Sequence, residues 1–181
     1  WAKKVYSRDN EKSLASKIAV YSNVQKKILI DSKIVSSNQV TVTGCARSDY
    51  SFELRKIYPQ KRTLVFYLIE TNRGNNIINN IMKPNWTKLY KKTLSYTLEY
   101  AKKNPQIKII LKGKTGVHKK MFIDKKLPNN CFFVDGGAGE KFLKDAGTVL
   151  SFNSTILFET IAGNRNLIIP NFNLENKYKK I

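Results

Sequence analysis

Apolar residues fall along this chain in short blocks, and the spacing within the blocks switches between that of a strand and that of a helix. Lys17 to Ser22 (KIAVYS) reads as a strand, Asn23 caps a helix running through Asp31, and Gln39 to Thr43 (QVTVT) is a strand rich in β-branched residues and closed by Gly44. A strand, a helix and a strand in that order imply parallel pairing through a right-handed crossover. Residues 45–61 (CARSDYSFELRKIYPQK) break the rhythm and read as a linker with a short helix around Phe52 to Ile57. Thr63 to Ile69 (TLVFYLI) is nearly all apolar, as expected of a strand covered on both faces. A helix is predicted from Trp86 to Lys103. Tyr90, Leu94, Leu98 and Ala101 recur on one side, Lys91, Lys92, Lys102 and Lys103 fill the other, and Pro105 ends it.

The alternation continues to the end. Ile107 to Leu111, Cys131 to Val134, Thr148 to Phe152 and Asn166 to Ile169 are predicted strands. Glu140 to Ala146 and Ser154 to Ala162 are predicted helices, stopped by Gly147 and Gly163. This order argues for an α/β fold: a Rossmann-like, open, mostly parallel sheet with helices on both faces. Ligands in such folds bind beyond the carboxyl ends of the strands, so the loops at 70–76, 112–118, 135–139 and 152–155 are the places to search.

Composition narrows the function classes. With 181 residues, 41% of them hydrophobic, the chain has room for one domain and part of a second. It shows neither a membrane-spanning run nor a signal peptide. Its start at Trp1 and its polar end at Lys177 to Ile181 read as a piece cut from a longer protein. Two distant cysteines, Cys45 and Cys131, and a single histidine, His118, leave no zinc site of ordinary type, and no metal or other cofactor is expected. Lone cysteines fit a reducing cytoplasm. The net charge of +20 favours anionic partners, yet the basic residues spread from Lys3 to Lys180 with no single dense block. A nucleic-acid-binding module would want an RNP-like aromatic motif or a clustered basic helix, and neither is present.

The densest chemistry lies in Val149 to Pro170, VLSFNSTILFETIAGNRNLIIP. A strand runs into Asn153-Ser154-Thr155 at a helix start, where unpaired N–H groups and small hydroxyls suit a phosphate. Glu159 follows Thr155 by one turn, placed to accept from ribose hydroxyls. The plainer reading is a helix cap with a solvated glutamate. Lys112 and Lys114, in LKGKTG, could neutralise phosphate charge or could belong to a solvated turn. Asn72 and Arg73 follow the strand Thr63 to Ile69, and an arginine fork suits phosphate. Asp135-Gly136-Gly137-Ala138-Gly139 reads as a turn, because Glu140 next to it would repel phosphate. His118, in a lysine-rich loop without an acid partner, is a poor general base.

The order strand, N-S-T-x-x-x-E, helix, Gly, strand, Pro resembles the donor-binding region of GT-B glycosyltransferases, above all bacterial capsule and surface-polysaccharide transferases and their polyol-phosphate transferase relatives. Ile18 to Asp49 is similar to the end of the N-terminal domain in that group, where Val42-Thr43-Gly44 with Arg47 and Asp49 matches a stretch at the domain junction. The resemblance implies that residues 1–45 end an acceptor-side domain, 46–61 link the domains, and 62–181 form a donor-binding domain. It implies a nucleotide-sugar donor meeting Asn153, Ser154 and Thr155, with Glu159 on the ribose, and a polysaccharide or lipid-linked sugar as acceptor. It also implies a cytoplasmic protein in peripheral contact with the inner face of a membrane, and a general base supplied from outside this chain. Lys114 stands where related sequences place a histidine. Transfer of a glycerol or ribitol phosphate from a nucleotide-linked donor is the alternative on the same site.

Overall fold

The structure is a computed structural model that describes residues 13–71, 85–114, 116–152 and 154–171. The chain divides into two compact units, Trp1–Asp49 and Tyr50–Ile181.

In the first unit, strands β1 (Ile18–Val20) and β2 (Val40–Val42) pair in parallel, with helix α1 (Asn23–Asp31) between them in sequence. This is the predicted β-α-β unit. The cap of α1 is Ser22 rather than Asn23: its hydroxyl oxygen accepts the Gln25 N–H at 3.3 Å. A small core of Val20, Val35 and Val40 closes the unit, with Ile18, Leu29, Ile30 and Ile34 partly buried around it.

The second unit is built on a five-stranded, all-parallel sheet. Its strands are β3 (Thr63–Tyr67), β4 (Lys108–Lys112), β5 (Cys131–Val134), β6 (Thr148–Leu150) and β7 (Asn166–Ile168), in the spatial order β5-β4-β3-β6-β7. Counted from the first strand of this unit the order is 3-2-1-4-5, that of a doubly wound dinucleotide-binding sheet. Helices α3 (Trp86–Lys103) and α4 (Lys119–Phe122) cover one face. The other carries helix α5 (Ile156–Ala162) and the 3-10 segments Leu54–Lys56 and Gly139–Leu143.

Strand alternation divides the core accordingly. Phe66, Ile109 and Leu111 pack with Leu89, Tyr90, Leu94 and Ala101 of α3 and with Phe122 of α4. Val65, Tyr67, Ile110 and Val149 pack with Leu54, Leu143, Ala146 and Ile156 on the opposite face. The helix α3 spans the predicted residues, and its Asn85 cap accepts the Lys88 N–H at 2.8 Å. The predicted helix over 140–146 is instead a 3-10 segment over Gly139–Leu143, and the helix after β6 starts at Ile156 rather than Ser154.

The stretch expected as a linker is folded. After a 3-10 turn at Ala46–Ser48 come α2 (Asp49–Glu53) and the 3-10 segment Leu54–Lys56. Leu54 is wholly buried in the second unit's core, and a Cβ on Gly147 would sit 2.5 Å from the Gln60 carbonyl oxygen. Residues 50–61 of this stretch thus fall in the second unit and 45–49 in the first.

Arg165 ties these short elements together. Its buried guanidinium donates to the carbonyls of Leu143, Gly163, Leu54, Ile57 and Lys144, at 3.0 to 3.4 Å. Four of those carbonyls, of Leu143, Lys144, Ile57 and Gly163, lie at or just past the C-terminal ends of the two 3-10 segments and of α5, where helical segments leave oxygens unsatisfied and the dipole favours a cation; the Leu54 carbonyl also accepts the Ile57 N–H at 3.0 Å. Burial lowers the pKa of Arg165. Among the described residues no helix is long and apolar enough to cross a membrane.

Candidate functional site

The strand order reverses between β3 and β6, because successive strands run outward from β3 on one side and from β6 on the other. β3 and β6 are paired as far as Phe66 and Leu150. Just beyond, the Leu68 N–H continues the ladder to the Lys112 carbonyl of β4 at 2.9 Å, and the Ser151 N–H continues that to the Ile168 carbonyl of β7 at 3.2 Å. The Ser151 hydroxyl lies 3.4 Å from the Tyr67 carbonyl across the two strands. The carboxyl ends of parallel strands at such a reversal are the general ligand site of this architecture.

Two helix N-termini belong to this rim. The Trp86 ring, in the first turn of α3, stacks on Phe152 just past β6, with ring centroids 6.2 Å apart. On the other face α5 begins after Ser154-Thr155. Phe152 is buried, Ser154 is half-buried and Thr155 is exposed, so the turn presents its hydroxyls outward. The Ser154 hydroxyl oxygen lies 3.4 Å from the Ile156 N–H, a long capping contact. The N–H groups of Ser154 and Thr155 meet no acceptor among the described residues. Asn153, the first residue of the expected triplet, lies outside the described residues, as do Asn72 and Arg73.

The lysines of the 112–114 turn differ from each other. Lys112 is the last residue of β4 and is buried on the face shared with α5. Its Nζ donates to the Gly113 carbonyl at 2.6 Å and lies 5.4 Å from the centre of the Phe142 ring. Burial lowers its pKa, opposed by the nearby carboxylate of Asp135. Lys114 is exposed, and its Nζ stands 3.8 Å from Glu70 at the end of β3. Of the two, Lys112 is the cation held in a low-dielectric setting, where a charge acts most strongly on a ligand.

Glu159 is buried, not solvated. Its carboxylate, with that of Glu140, adds to burial in raising the pKa of Tyr67, whose hydroxyl donates to the Gly139 carbonyl at 2.8 Å. Glu159 thus belongs to a polar layer under the rim, beside Tyr67. Sequence reasoning gave Tyr67 no role, since a tyrosine inside an apolar strand carries no signal beyond packing.

Asp135 organises the neighbouring loop: both of its carboxylate oxygens accept the Gly116 N–H, at 3.0 and 3.2 Å. Gly136 and Gly137 follow with φ of +65° and +75°, a turn that side chains disfavour. His118 is buried and fully engaged. Its Nδ1 accepts the Lys114 N–H at 3.3 Å, which leaves Nε2 to donate to the Ile69 carbonyl at 3.0 Å. The imidazole therefore pins the β4 loop to the β3 loop and has no nitrogen to spare for proton transfer. Among the junction residues, Gly44 adopts φ +76° and Asp49 is the exposed first residue of α2. Arg47 lies in the 3-10 turn Ala46–Ser48, and its side chain is outside the described set.

Among the described residues no group of three His, Cys, Asp or Glu side chains could hold a metal ion. The β3-to-α3 connection contains a single glycine, Gly74, and so lacks the G-x-G-x-x-G spacing of a dinucleotide fingerprint. Compared with models of known protein families the chain matches none. No curated protein matches it at a significant level. What the geometry establishes is an α/β unit whose parallel sheet reverses its strand order between β3 and β6, with Ser154 and Thr155 after β6 and the buried Lys112 at the end of β4.

Proposed function

We propose that this chain is the donor-binding part of a GT-B-type glycosyltransferase, which takes a nucleotide sugar and transfers its sugar to a hydroxyl of a surface-polysaccharide acceptor. The observation that carries the reading is the reversal of strand order between β3 and β6, followed directly by the half-buried Ser154 and exposed Thr155 at the start of α5. The donor diphosphate lies against Ser154 and Thr155, and Lys112 supplies a cation from the β4 end. As the bond from sugar to phosphate breaks, negative charge grows on the leaving nucleotide. Fixed dipoles and a desolvated ammonium stabilise that charge without reorganising. The base that deprotonates the acceptor comes from outside the described residues. The absence of the dinucleotide fingerprint favours a mononucleotide-linked donor over NAD.

The test is calorimetric titration with a panel of nucleotide diphosphate sugars, and with CDP-glycerol to separate sugar transfer from polyol-phosphate transfer. Ser154→Ala combined with Thr155→Ala is expected to weaken donor binding about tenfold, through two lost hydrogen bonds to charged oxygens, with unchanged thermal unfolding. Donor binding of parent strength in the double variant, or none of the panel binding the parent, removes this reading.

A further inference from the structure

The two edges of the five-stranded sheet are guarded differently. β5, at one edge, lies in sequence between exposed charges: Lys119, Lys120, Lys125 and Lys126 precede it, and Lys141 and Lys144 follow. β7, at the other edge, lies within residues 147–171, which hold two charged side chains, Glu159 and Arg165, both buried. Among the described residues of that stretch eight are exposed, and none of the eight is charged. Four of them are large and apolar. Phe158 and Ile161 lie on the side of α5 opposite its buried residues, Ile168 is on β7 and Ile169 follows it. Phe158 is 73% exposed and Ile161 60%. Sheets in monomeric proteins block an open edge with charged side chains, lysine above all, and this edge has only Pro170 at its end.

We infer that the side formed by α5 and β7 is where a second copy of this chain docks, same face to same face about a two-fold axis. Charge selects the occupant. An anionic partner is drawn to the lysines elsewhere and meets no exposed cation in this stretch. A partner with charged groups at the contact would bury them without a counter-ion. The fitting surface is equally apolar and uncharged, and a second copy supplies it. Two copies that each carry +20 repel wherever their lysines face each other, so they meet at least cost where neither shows a charge. Arg55, which donates to the Ala162 carbonyl at the end of α5 at 2.6 Å, stands at the border, where interfaces keep polar side chains. The inference does not rest on the donor assignment, since none of the four apolar side chains belongs to the residues given to the donor.

The test is sedimentation equilibrium of the whole protein over a range of concentrations, at low and at high salt. A monomer–dimer equilibrium is expected. The dimer should tighten as salt is raised, because salt screens the repulsion between two basic copies and leaves apolar contact in place. Phe158→Ser with Ile161→Ser is expected to weaken the dimer roughly a hundredfold, through the loss of two apolar anchors. Ile168→Lys, which puts on this edge the kind of charge that flanks β5, should also weaken it. Tyr96→Ser with Tyr100→Ser removes exposed aromatic surface from α3 instead and should leave the dimer unchanged. All these positions are exposed, so the variants are expected to unfold at the temperature of the parent. A parent that stays monomeric at every concentration and salt overturns the inference. So does a dimer that salt dissociates, or one that the tyrosine pair weakens as much as the α5 pair. The salt response of the parent needs no variant, so a misfolded variant leaves the test intact.

Discussion

The two layers that cover the five-stranded sheet close it by different means. On one side an eighteen-residue helix, α3, satisfies most of its own main chain and contributes a stripe of Leu89, Tyr90, Leu94 and Ala101 to the core. On the other, two 3-10 segments and a seven-residue helix leave carbonyls at their ends without intrahelical donors, and Arg165 gathers four of these together with the Leu54 carbonyl. A long amphipathic helix needs only apolar contact, whereas a patchwork of short segments needs a polar hub. The hub side also carries the turn at Ser154 and Thr155 and the polar layer of Tyr67 and Glu159. Short segments give a site many main-chain ends to draw upon.

Removing the hub is expected to have the largest effect. Arg165→Met takes a donor from five carbonyls, of which only that of Leu54 keeps a main-chain partner, and should cost about 4 kcal/mol in urea unfolding. A variant as stable as the parent would mean that water serves those carbonyls equally well, and the contrast between the layers would fall. Leu94→Ala, a cavity cut on the α3 side, should cost about 3 kcal/mol without changing donor affinity, since it touches packing alone. A loss of donor binding in that variant would show that the two layers are not separable.

Lys112→Met should have the smallest effect on stability and an informative sign. Because burial lowers the pKa of Lys112 in the folded state, the unfolded chain holds that proton more tightly. The cost of the buried charge is therefore present at neutral pH. It fades as pH rises from the lowered folded value toward the ordinary lysine value of about 10.4. Lys112→Met should thus equal or exceed the parent in stability near neutral pH, with its advantage shrinking as the solution becomes alkaline. Donor affinity should fall about tenfold, the loss of one charge-assisted contact. A variant less stable than the parent at every pH would make Lys112 a packing residue.

Much of this architecture was legible along the chain. The helix Trp86–Lys103 and the strand Cys131–Val134 have the predicted bounds, and the other strands fall within a residue or two of theirs. In residues 45–61 the apolar positions follow no clear period, and nothing in the pattern shows that Leu54 is wholly buried while Phe52 and Tyr58 are exposed. Arg165 was invisible for a related reason: one arginine in NRNLII reads as a loop cation until distant segments bring their carbonyls to it. Glu159 was expected either on the ribose or as a solvated side chain, and the fold buries it, which its place on the helix does not reveal.

Local pattern alone determined the type and sequence of the elements, because backbone propensity and the burial of one face act over a few residues. It also placed Ser154 and Thr155 at a strand-to-helix turn. The tertiary structure decided which strands became neighbours, and so where the strand order reverses. It decided as well which of two lysines in one turn was buried and which carbonyls one guanidinium would serve. Those outcomes rest on contacts between residues far apart in the chain, and packing in three dimensions sets them.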